Sequence, residues 1–432
     1  MLKKHLKETA KYALRSHIFT RKYEKEIDRF YAMSPEELKA RNEQKFLFLF
    51  KRLYTKSAYY RSICQEIGVG IDDIKRIEDI VKLPILTKDM LKKHGKELLL
   101  TKSPFIIKAH TSGTTGTPLY VYRTWHSIWW EQAYLSYYRR RCGFRYGEPM
   151  VSLRGNLDRN TFSLKVHISN TLFLSSYNIN KNNIEKYHQM IQSHKPKAIE
   201  GYPSSLYALA VEFKEKGLEC HIPLSFTSSE TLYDYQRQII EDVFHTKLFD
   251  HYGGTERTTI LVEGFDHNGY FEAPGYGISE YYDDHIITTS LINDDYPLIR
   301  YRIDDNIILK DKNAKTPEHF IPADNVKAIE GRNISFIIGK DGTYYSDSVL
   351  TFIFKVAKGV KYSQFIQHEP GSVDLNIVPD TTYNKESEQI LLDGLNKDIG
   401  LDNMDVRINL IDESELRKTK LNKLALVINE VN

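Results

Sequence analysis

The stretch AIEGYPSSLYALAVEFKEKG, residues 198–217, decides the fold. It begins as a short strand, and Pro203-Ser204 then opens a helix that ends at Gly217. One face of this helix carries the apolar residues Leu206, Leu209, Ala210 and Phe213. The alternation of strand and helix then continues. Strands are expected at Leu224–Thr227 and Lys247–Asp250, with a helix between them. Strands that alternate with helices of this length predict βαβ units and a mostly parallel sheet.

Three polar loops follow these strands. They are Tyr202-Pro203-Ser204, Ser228-Ser229-Glu230 and Tyr252-Gly253-Gly254-Thr255-Glu256. Ligands of open parallel sheets bind at the carboxyl ends of the strands, so we expect these loops to form a ligand site. For Ser228-Ser229-Glu230, the N-cap of the next helix is an equally good interpretation, and both can hold together.

A further polar loop precedes this region. Four hydroxyl side chains and two glycines lie in the six residues Thr111, Ser112, Gly113, Thr114, Thr115 and Gly116. The glycines let backbone N–H groups converge and the hydroxyls add donors, which makes a pocket for a polyphosphate. The loop is not the usual P-loop, because no Gly-Lys-Ser/Thr follows it. On composition alone, a flexible polar linker is the competing interpretation.

The remaining segments suggest an N-terminal domain at 1–330 and a C-terminal domain at 331–432. In the first, residues 1–100 are expected to be mostly helical and residues 101–265 to form the α/β core. Residues 266–330 contain short strands and turns, typical of a small β-rich subdomain. The second has the strand and helix pattern of a small α+β domain.

Composition restricts the function classes. A formal net charge of +3 over 432 residues gives no reason to expect a nucleic-acid partner. Cys64, Cys142 and Cys220 lie far apart, which argues against a zinc site or a disulfide framework and fits a reducing cytosol. No apolar run approaches the ~20 residues that span a bilayer, and the N-terminus does not resemble a signal peptide. We therefore expect a cytoplasmic protein without an integral membrane segment.

Four segments with family-specific patterns are TSGTTGTP at 111–118, YGGTE at 252–256, PLIRYRIDD at 297–305 and GR at 331–332. Their order and spacing resemble the adenylate-forming superfamily of acyl-CoA synthetases, nonribosomal adenylation domains and luciferases. Within it the chain resembles the phenylacetate–coenzyme A ligase family, and in that family the ligases associated with capsular polysaccharide biosynthesis. LPILTKD at 83–89 and EGYPS at 200–204 are similar to that family as well.

This resemblance implies an AMP-forming carboxylate ligase. ATP and an organic acid would give an acyl-adenylate and pyrophosphate in the large domain, and the small domain would move between the half-reactions. The acyl group would pass to coenzyme A or to an amine, such as an amino acid or amino sugar. Surface-polysaccharide modification is the expected context.

The resemblance also implies nucleotide contacts. Glu256, next to Thr255, would ligate Mg²⁺ near the α-phosphate, as a hard oxygen ligand should. Tyr252 would stack on adenine, although a half-buried core tyrosine is the alternative, and Asp305 would accept both ribose hydroxyls. The Thr111–Gly116 loop would hold the β- and γ-phosphates. Further nucleotide contacts would come from Gly253, Ser229, Glu230 and Arg332, of which Arg332 could instead be an ordinary surface arginine.

Lys423 is the residue expected to assist adenylation. Residues 419–423, TKLNK, resemble the superfamily segment Thr-x-x-Gly-Lys with Asn422 at the glycine position, and Lys418 and Lys420 are rival candidates. The acid would bind against Tyr202, His251 and Gly254. Four aromatic residues were further candidates for shaping its pocket: Trp129, Trp130, Tyr134 and Tyr137.

Three departures from the superfamily pattern keep other interpretations open. Leu119 stands where many members carry a lysine, Asp304 replaces a glycine, and residues 333–335 lack the usual acidic side chains. The last two motivate a second hypothesis, a degenerate and non-catalytic nucleotide-binding protein. A third, a kinase-like phosphotransferase, would form ADP instead of AMP.

Overall fold

The computed structural model describes residues 9–10, 12–110, 119–153, 157, 161–282, 285–311, 326–330, 336–346, 350, 353, 359–417 and 426–431. None of the helices in these ranges is long and apolar enough to cross a bilayer. The α-helices are α1 His17–Ala32, α2 Pro35–Lys56, α3 Ala58–Glu66, α4 Lys88–His94, α5 Trp125–Arg141, α6 Ile184–His194, α7 Pro203–Glu215, α8 Asp234–Phe244 and α9 Lys385–Asp398.

The strands are mostly short. In chain order they are β1 Ile107–His110, β2 Tyr120–Arg123, β3 Met150–Leu153, β4 Ser163–Val166, β5 Thr171–Leu174, β6 Ala198–Gly201, β7 Leu224–Ser228, β8 Lys247–Gly253, β9 Ile260–Glu263, β10 Tyr270–Glu272, β11 Gly277–Tyr281, β12 Ile286–Ser290, β13 Tyr301–Ile303, β14 Asn306–Leu309, β15 Val326–Glu330, β16 Phe336–Ile338, β17 Tyr344–Ser346, β18 Val360–Glu369, β19 Ser372–Pro379, β20 Asp405–Leu410 and β21 Val427–Asn429.

A ten-stranded mixed sheet organises the molecule, in the order β14-β15-β10-β9-β8-β7-β6-β3-β5-β4. Its five central strands, β5, β3, β6, β7 and β8, run parallel, as the alternation of strands and helices predicts. The other neighbouring strands pair in antiparallel fashion: β8 with β9, β9 with β10, β10 with β15, β15 with β14, and β5 with β4. The predicted α/β class is therefore confirmed, with the parallel part confined to the centre of the sheet.

Helices cover both faces of the parallel strands. Successive strand residues point to opposite faces, so Leu248 packs with α6, α7 and α8 while Phe249 packs with α5. On the first face, Leu206, Leu209, Ala210 and Phe213 of α7 are all fully buried. Strands β3, β5, β6 and β7 are buried along their whole length, as expected for strands that are covered on both faces.

The aromatic residues of α5 form a contact between helices. Trp130 lies between Tyr23 and Phe30 of α1, with ring centroids 4.8 and 6.0 Å away. The Trp129 ring N–H donates to the Leu14 carbonyl oxygen, with the two atoms 2.8 Å apart. Trp130, together with Tyr134 and Tyr137, belongs to the core cluster that joins α1, α5 and the sheet, and Trp129 packs against it. These contacts give the α5 aromatic side chains a structural role.

The region predicted to be a separate β-rich subdomain is divided. Strands β9, β10, β14 and β15 extend the large sheet, whereas β11, β12 and β13 form a three-stranded antiparallel sheet. A parallel bridge between Leu86 and Tyr301 ties the segment before α4 to β13. Hydrogen bonds from Leu86 N–H to Arg300 O and from Arg302 N–H to Leu86 O flank it. This bridge brings the start of α4 to the carboxyl edge of the sheet.

The C-terminal residues build a smaller α+β unit. Its sheet has the order β20-β19-β18-β21, and α9 packs on it through Leu391 and Leu395. The Asn180 side-chain amide donates to Asp341 and to Thr343 across 2.9 and 3.2 Å, which joins this unit to the residues before α6.

Candidate active site

Strand β8 ends in a tight turn, residues 253–257, that presents Thr255 and Glu256. The Arg257 N–H donates to the Gly254 carbonyl oxygen across 3.2 Å. Arg257 adopts a left-handed backbone with φ of +57°, which is uncommon for a residue with a side chain. Such backbone conformations cluster at functional sites, where the surrounding structure imposes them.

Glu256 is half-buried at this turn. The Tyr301 hydroxyl donates to one carboxylate oxygen across 3.2 Å. Burial raises the pKa of Glu256 above its ordinary value, while the hydrogen bond from Tyr301 and the positive charge of Lys88 oppose this shift. Lys88 is close because the bridge between Leu86 and Tyr301 brings the start of α4 to this point.

This geometry fits the predicted magnesium ligand. A carboxylate with a raised pKa gains most from a nearby cation that stabilises its ionised form. The described residues contain no group of three or more acidic, histidine or cysteine side chains suited to a metal. Mg²⁺ often binds through one or two carboxylates together with substrate phosphates and water, so a single carboxylate at this turn is compatible with the prediction.

Tyr252 and Asp305 are joined by a hydrogen bond. The Tyr252 hydroxyl donates to Asp305 Oδ2 across 2.8 Å, and burial followed by the Asp305 charge raises the pKa of Tyr252. Asp304, by contrast, is exposed and accepts from Arg302 Nε across 2.7 Å. The carboxylate that faces the end of β8 is therefore Asp305.

Ser229 and Glu230 follow β7 on the same edge of the sheet. Ser229 has a left-handed φ of +73°, and its hydroxyl donates to Ser228 Oγ across 3.4 Å. Glu230 accepts the Ser204 N–H across 3.0 Å and so satisfies a donor in the first turn of α7. The N-cap of α8 is Tyr233, so the interpretation of Ser228-Ser229-Glu230 as the cap of the next helix is wrong.

The residues expected to contact the acid lie at the ends of two strands, β6 and β8. His251 is buried in β8 and lies in register with Ser228 of β7. Gly254 is part of the 253–257 turn. Tyr202 precedes α7 and packs against the apolar cluster of the C-terminal unit. His251 and Gly254 therefore lie along the edge that carries Glu256, whereas Tyr202 faces the smaller unit.

Several predicted site residues lie outside the described residues. They are the phosphate-loop residues Thr111, Ser112, Gly113, Thr114, Thr115 and Gly116, the hinge residue Arg332, and the lysine candidates Lys418, Lys420 and Lys423.

Sequence reasoning missed a buried charged group behind the turn, which we call the arginine cluster: Arg123, Glu131, Arg257 and Tyr276. Arg123 Nε donates to the Thr255 carbonyl oxygen across 3.1 Å, and Nη2 donates to the same atom. Burial, followed by the charge of Arg257, lowers the pKa of Arg123 to about 9. No local pattern signals this contact, because Arg123 and Thr255 are 132 residues apart. For Arg257, its position directly after Glu256 was the available signal.

The chain is similar to known proteins along most of its length. Residues 337–430 match the family described as the CapK C-terminal domain. Protein CapK of Staphylococcus aureus is 24% identical over 377 residues, covering 83% of this chain and 82% of CapK. Phenylacetate-coenzyme A ligase of Thermus thermophilus is 21% identical, covering 78% of this chain and 80% of the ligase.

Solved structures share the fold. 2-Hydroxyisobutyryl-CoA ligase in complex with 2-HIB-AMP and CoA, in the thioesterification state, superposes with a TM-score of 0.57 at 15% identity. That alignment covers 93% of this chain and 91% of the ligase. In the postadenylation state with R3-HIB-AMP, the TM-score is 0.53 at 16% identity, and the alignment covers 89% and 88% of the two chains. The predicted resemblance is confirmed: along most of its length the chain is similar to CapK and to phenylacetate-coenzyme A ligases, and it shares its fold with 2-hydroxyisobutyryl-CoA ligase.

Proposed function

We propose that this protein is an ATP-dependent carboxylate ligase that forms AMP and pyrophosphate through an acyl-adenylate. The observation that carries the proposal is the pair of carboxylates at the carboxyl edge of the sheet. Glu256 is half-buried beside Tyr301 and Lys88, and Asp305 is hydrogen-bonded to Tyr252 at the end of strand β8. One carboxylate would serve the phosphates and the other the ribose of a single nucleotide.

Each residue then has a task. Asp305 would accept the two ribose hydroxyls, and Tyr252 would hold Asp305 in position while its ring lies against adenine. Glu256 would hold Mg²⁺, which when bound neutralises negative charge on the phosphates. The loop Thr111–Gly116 would donate to the β- and γ-phosphates, and Arg332 would reach the ribose or a phosphate. Ser229 and Glu230, with His251 and Gly254, would border the adenine and the acid.

Lys423 would be supplied by a C-terminal domain beginning near residue 331 that moves between the half-reactions. The compact ammonium group of a lysine can contact both the attacking carboxylate and the α-phosphate, and so reduce the repulsion between them. It has no evident task in the second half-reaction, in which the acceptor attacks the adenylate. Movement of the domain would therefore open the site to the acceptor.

Coenzyme A or an amine is the proposed acceptor. Relatives named as phenylacetate-coenzyme A ligases support coenzyme A, as does the fold shared with a CoA ligase. The overall similarity to CapK leaves an amine acceptor open, and with it the proposed role in surface-polysaccharide modification. A cytoplasmic location belongs to the same proposal, because Cys64, Cys142 and Cys220 are free thiols and a reducing compartment keeps thiols in this state.

The test is pyrophosphate release from ATP over a panel of organic acids, followed by identification of the nucleotide product. An active ligase should release pyrophosphate and AMP in equal amounts with at least one acid. Release of ADP would favour a phosphotransferase instead. A protein that binds ATP but releases neither product with any acid or acceptor would be the degenerate nucleotide-binding member.

A further inference from the structure

The predicted phosphate loop, residues 111–116, contains no cationic side chain. Residues 111–119, TSGTTGTPL, contain neither lysine nor arginine. Nearby Lys108 is engaged elsewhere, since its ammonium nitrogen lies 3.5 Å from the centre of the Tyr120 ring. A bound polyphosphate carries several negative charges, and enzymes stabilise them with preorganised cations and hydrogen-bond donors. Cations for the terminal phosphates of ATP must therefore come from other segments.

The side chain of Arg257 has N–H donors that are available to a ligand. The residue is only 5% exposed, and its Nε and Nη1 atoms are buried with no hydrogen-bond partner among the described residues. The nearest carboxylate oxygen, Oε2 of Glu131, is 4.0 Å from Nε, which is too far for a hydrogen bond. Buried donors without partners are costly, and more so in a charged group. This cost indicates a group with anionic oxygens that is present only when a ligand binds.

The other members of the arginine cluster do not supply that group. The Glu131 carboxylate already accepts from the Tyr276 hydroxyl, and Arg123 is bonded to the Thr255 carbonyl oxygen. Within the cluster, two guanidinium groups therefore share one carboxylate, and the charge of Glu256 outside the cluster also acts on Arg123. The cluster has an excess positive charge, which an anionic ligand can balance.

The location of the cluster identifies the ligand class. Arg123 ends β2, the strand that continues from the loop at 111–118, and Arg257 directly follows Glu256. The cluster thus connects the strand after the phosphate loop with the turn that carries the proposed magnesium ligand. Phosphate oxygens are the anionic groups expected at this position, and guanidinium groups bind them well.

We propose that Arg257, supported by Arg123, forms the cationic subsite for the β- and γ-phosphates of ATP and for the pyrophosphate product. This inference rests on the proposed function, since it takes ATP as the substrate. Arg257 would contact the phosphate oxygens directly. Arg123 would act as a positioning residue that fixes the 253–257 turn through the Thr255 carbonyl oxygen.

Calorimetric titration with inorganic pyrophosphate, ATP and AMP, each with Mg²⁺, tests the proposal without requiring turnover. Arg257→Met should weaken the binding of pyrophosphate and ATP by about 10- to 100-fold, the range of a lost charge-assisted contact. AMP lacks both terminal phosphates, so its affinity should not change. Arg257→Lys keeps the charge and should lose less affinity. Arg140→Met, which removes a surface arginine paired with Asp28, is the control and should bind all three ligands like the wild type.

Glu131→Gln separates ligand binding from a structural ion pair. If Arg257 binds phosphate, removing the competing carboxylate should leave pyrophosphate affinity unchanged or increase it. If Arg257 serves only to neutralise Glu131, Arg257→Met and Glu131→Gln should both lose thermal stability and bind pyrophosphate like the wild type, and the proposal is wrong. A wild-type protein that binds neither ATP nor pyrophosphate would overturn the proposed function together with this subsite.

Discussion

At the scale of single residues, the surroundings of Glu256 determine how its carboxylate responds to a cation. Partial removal of its carboxylate from water favours the neutral acid, whereas Tyr301 and Lys88 favour the ionised form. A cation that binds beside Glu256 therefore stabilises the ionised carboxylate further. Asp305 is also half-buried, and the hydrogen bond from the Tyr252 hydroxyl orients its carboxylate.

Replacing Glu256 with glutamine removes the charge and keeps the size. Because the remaining amide is a weaker ligand for a hard cation, we expect acid-dependent pyrophosphate release to fall by about 10²-fold or more. The thermal unfolding midpoint should not decrease, since the substitution removes a buried charge. Steady-state assays of pyrophosphate release measure the loss, and turnover near that of the wild type would contradict a role as metal ligand.

Asp304 is a matched control for Asp305 in a test of ribose binding, because the two aspartates are adjacent in the sequence. Asp305→Ala should weaken ATP binding by about 10-fold or more, because a carboxylate that accepts two hydroxyl groups is lost. Asp304→Ala should change the affinity little, since Asp304 is exposed and bonded to Arg302. Calorimetric titration with ATP gives both values. The reverse order would make Asp304 the ribose ligand.

The elements around the site differ in how far the sequence predicts them. The strands β6, β7 and β8 follow from short apolar runs between helices with one apolar face, and their parallel order follows from the helical crossovers. The arginine cluster could not be predicted in this way, because Arg123, Glu131, Arg257 and Tyr276 meet only through tertiary packing. The aromatic residues of α5 were ambiguous for the same reason, since a helix with aromatic residues on several sides can face a pocket or another helix.

Trp130 tests the structural interpretation of α5. Its ring packs against Tyr23 and Phe30 of α1, so Trp130→Ala should leave a cavity between the helices. We expect a loss of about 3–5 kcal/mol in the free energy of unfolding, measured by denaturant titration. Phe105→Ala is the control, since Phe105 is 72% exposed and its loss should cost less than about 0.5 kcal/mol. A change in preference among acids without a loss of stability would instead favour a pocket role for Trp130.

A buried polar network under the active edge links the stability of the whole molecule to pH. Asp250 accepts from the Thr227 and Tyr270 hydroxyls across 2.7 and 2.8 Å, and the neighbouring Glu263 is paired with Arg237. Burial raises the pKa of Asp250 from 3.8 to about 6. The folded state therefore binds this proton more tightly than the unfolded chain. The stabilisation that Asp250 contributes is present at low pH and is lost as the pH rises through about 6.

Asp250→Asn isolates this effect, because asparagine does not titrate. The stability of the variant relative to the wild type should increase between pH 4.5 and pH 7.5 by on the order of 2 kcal/mol. Denaturant titrations of both proteins at the two pH values measure this difference and cancel the contributions of all other titrating groups. A difference that does not depend on pH would mean that Asp250 titrates in the same range in the folded and unfolded states.

The central claim is that the chain forms an acyl-adenylate before any acceptor is involved. Acid-dependent exchange of labelled pyrophosphate into ATP, measured without coenzyme A or amine, tests it most directly. We predict exchange in the wild type, its loss in Glu256→Gln and Lys423→Ala, and its retention in Lys418→Ala and Lys420→Ala. Exchange that requires an acceptor, or product analysis that gives ADP instead of AMP, would contradict the claim.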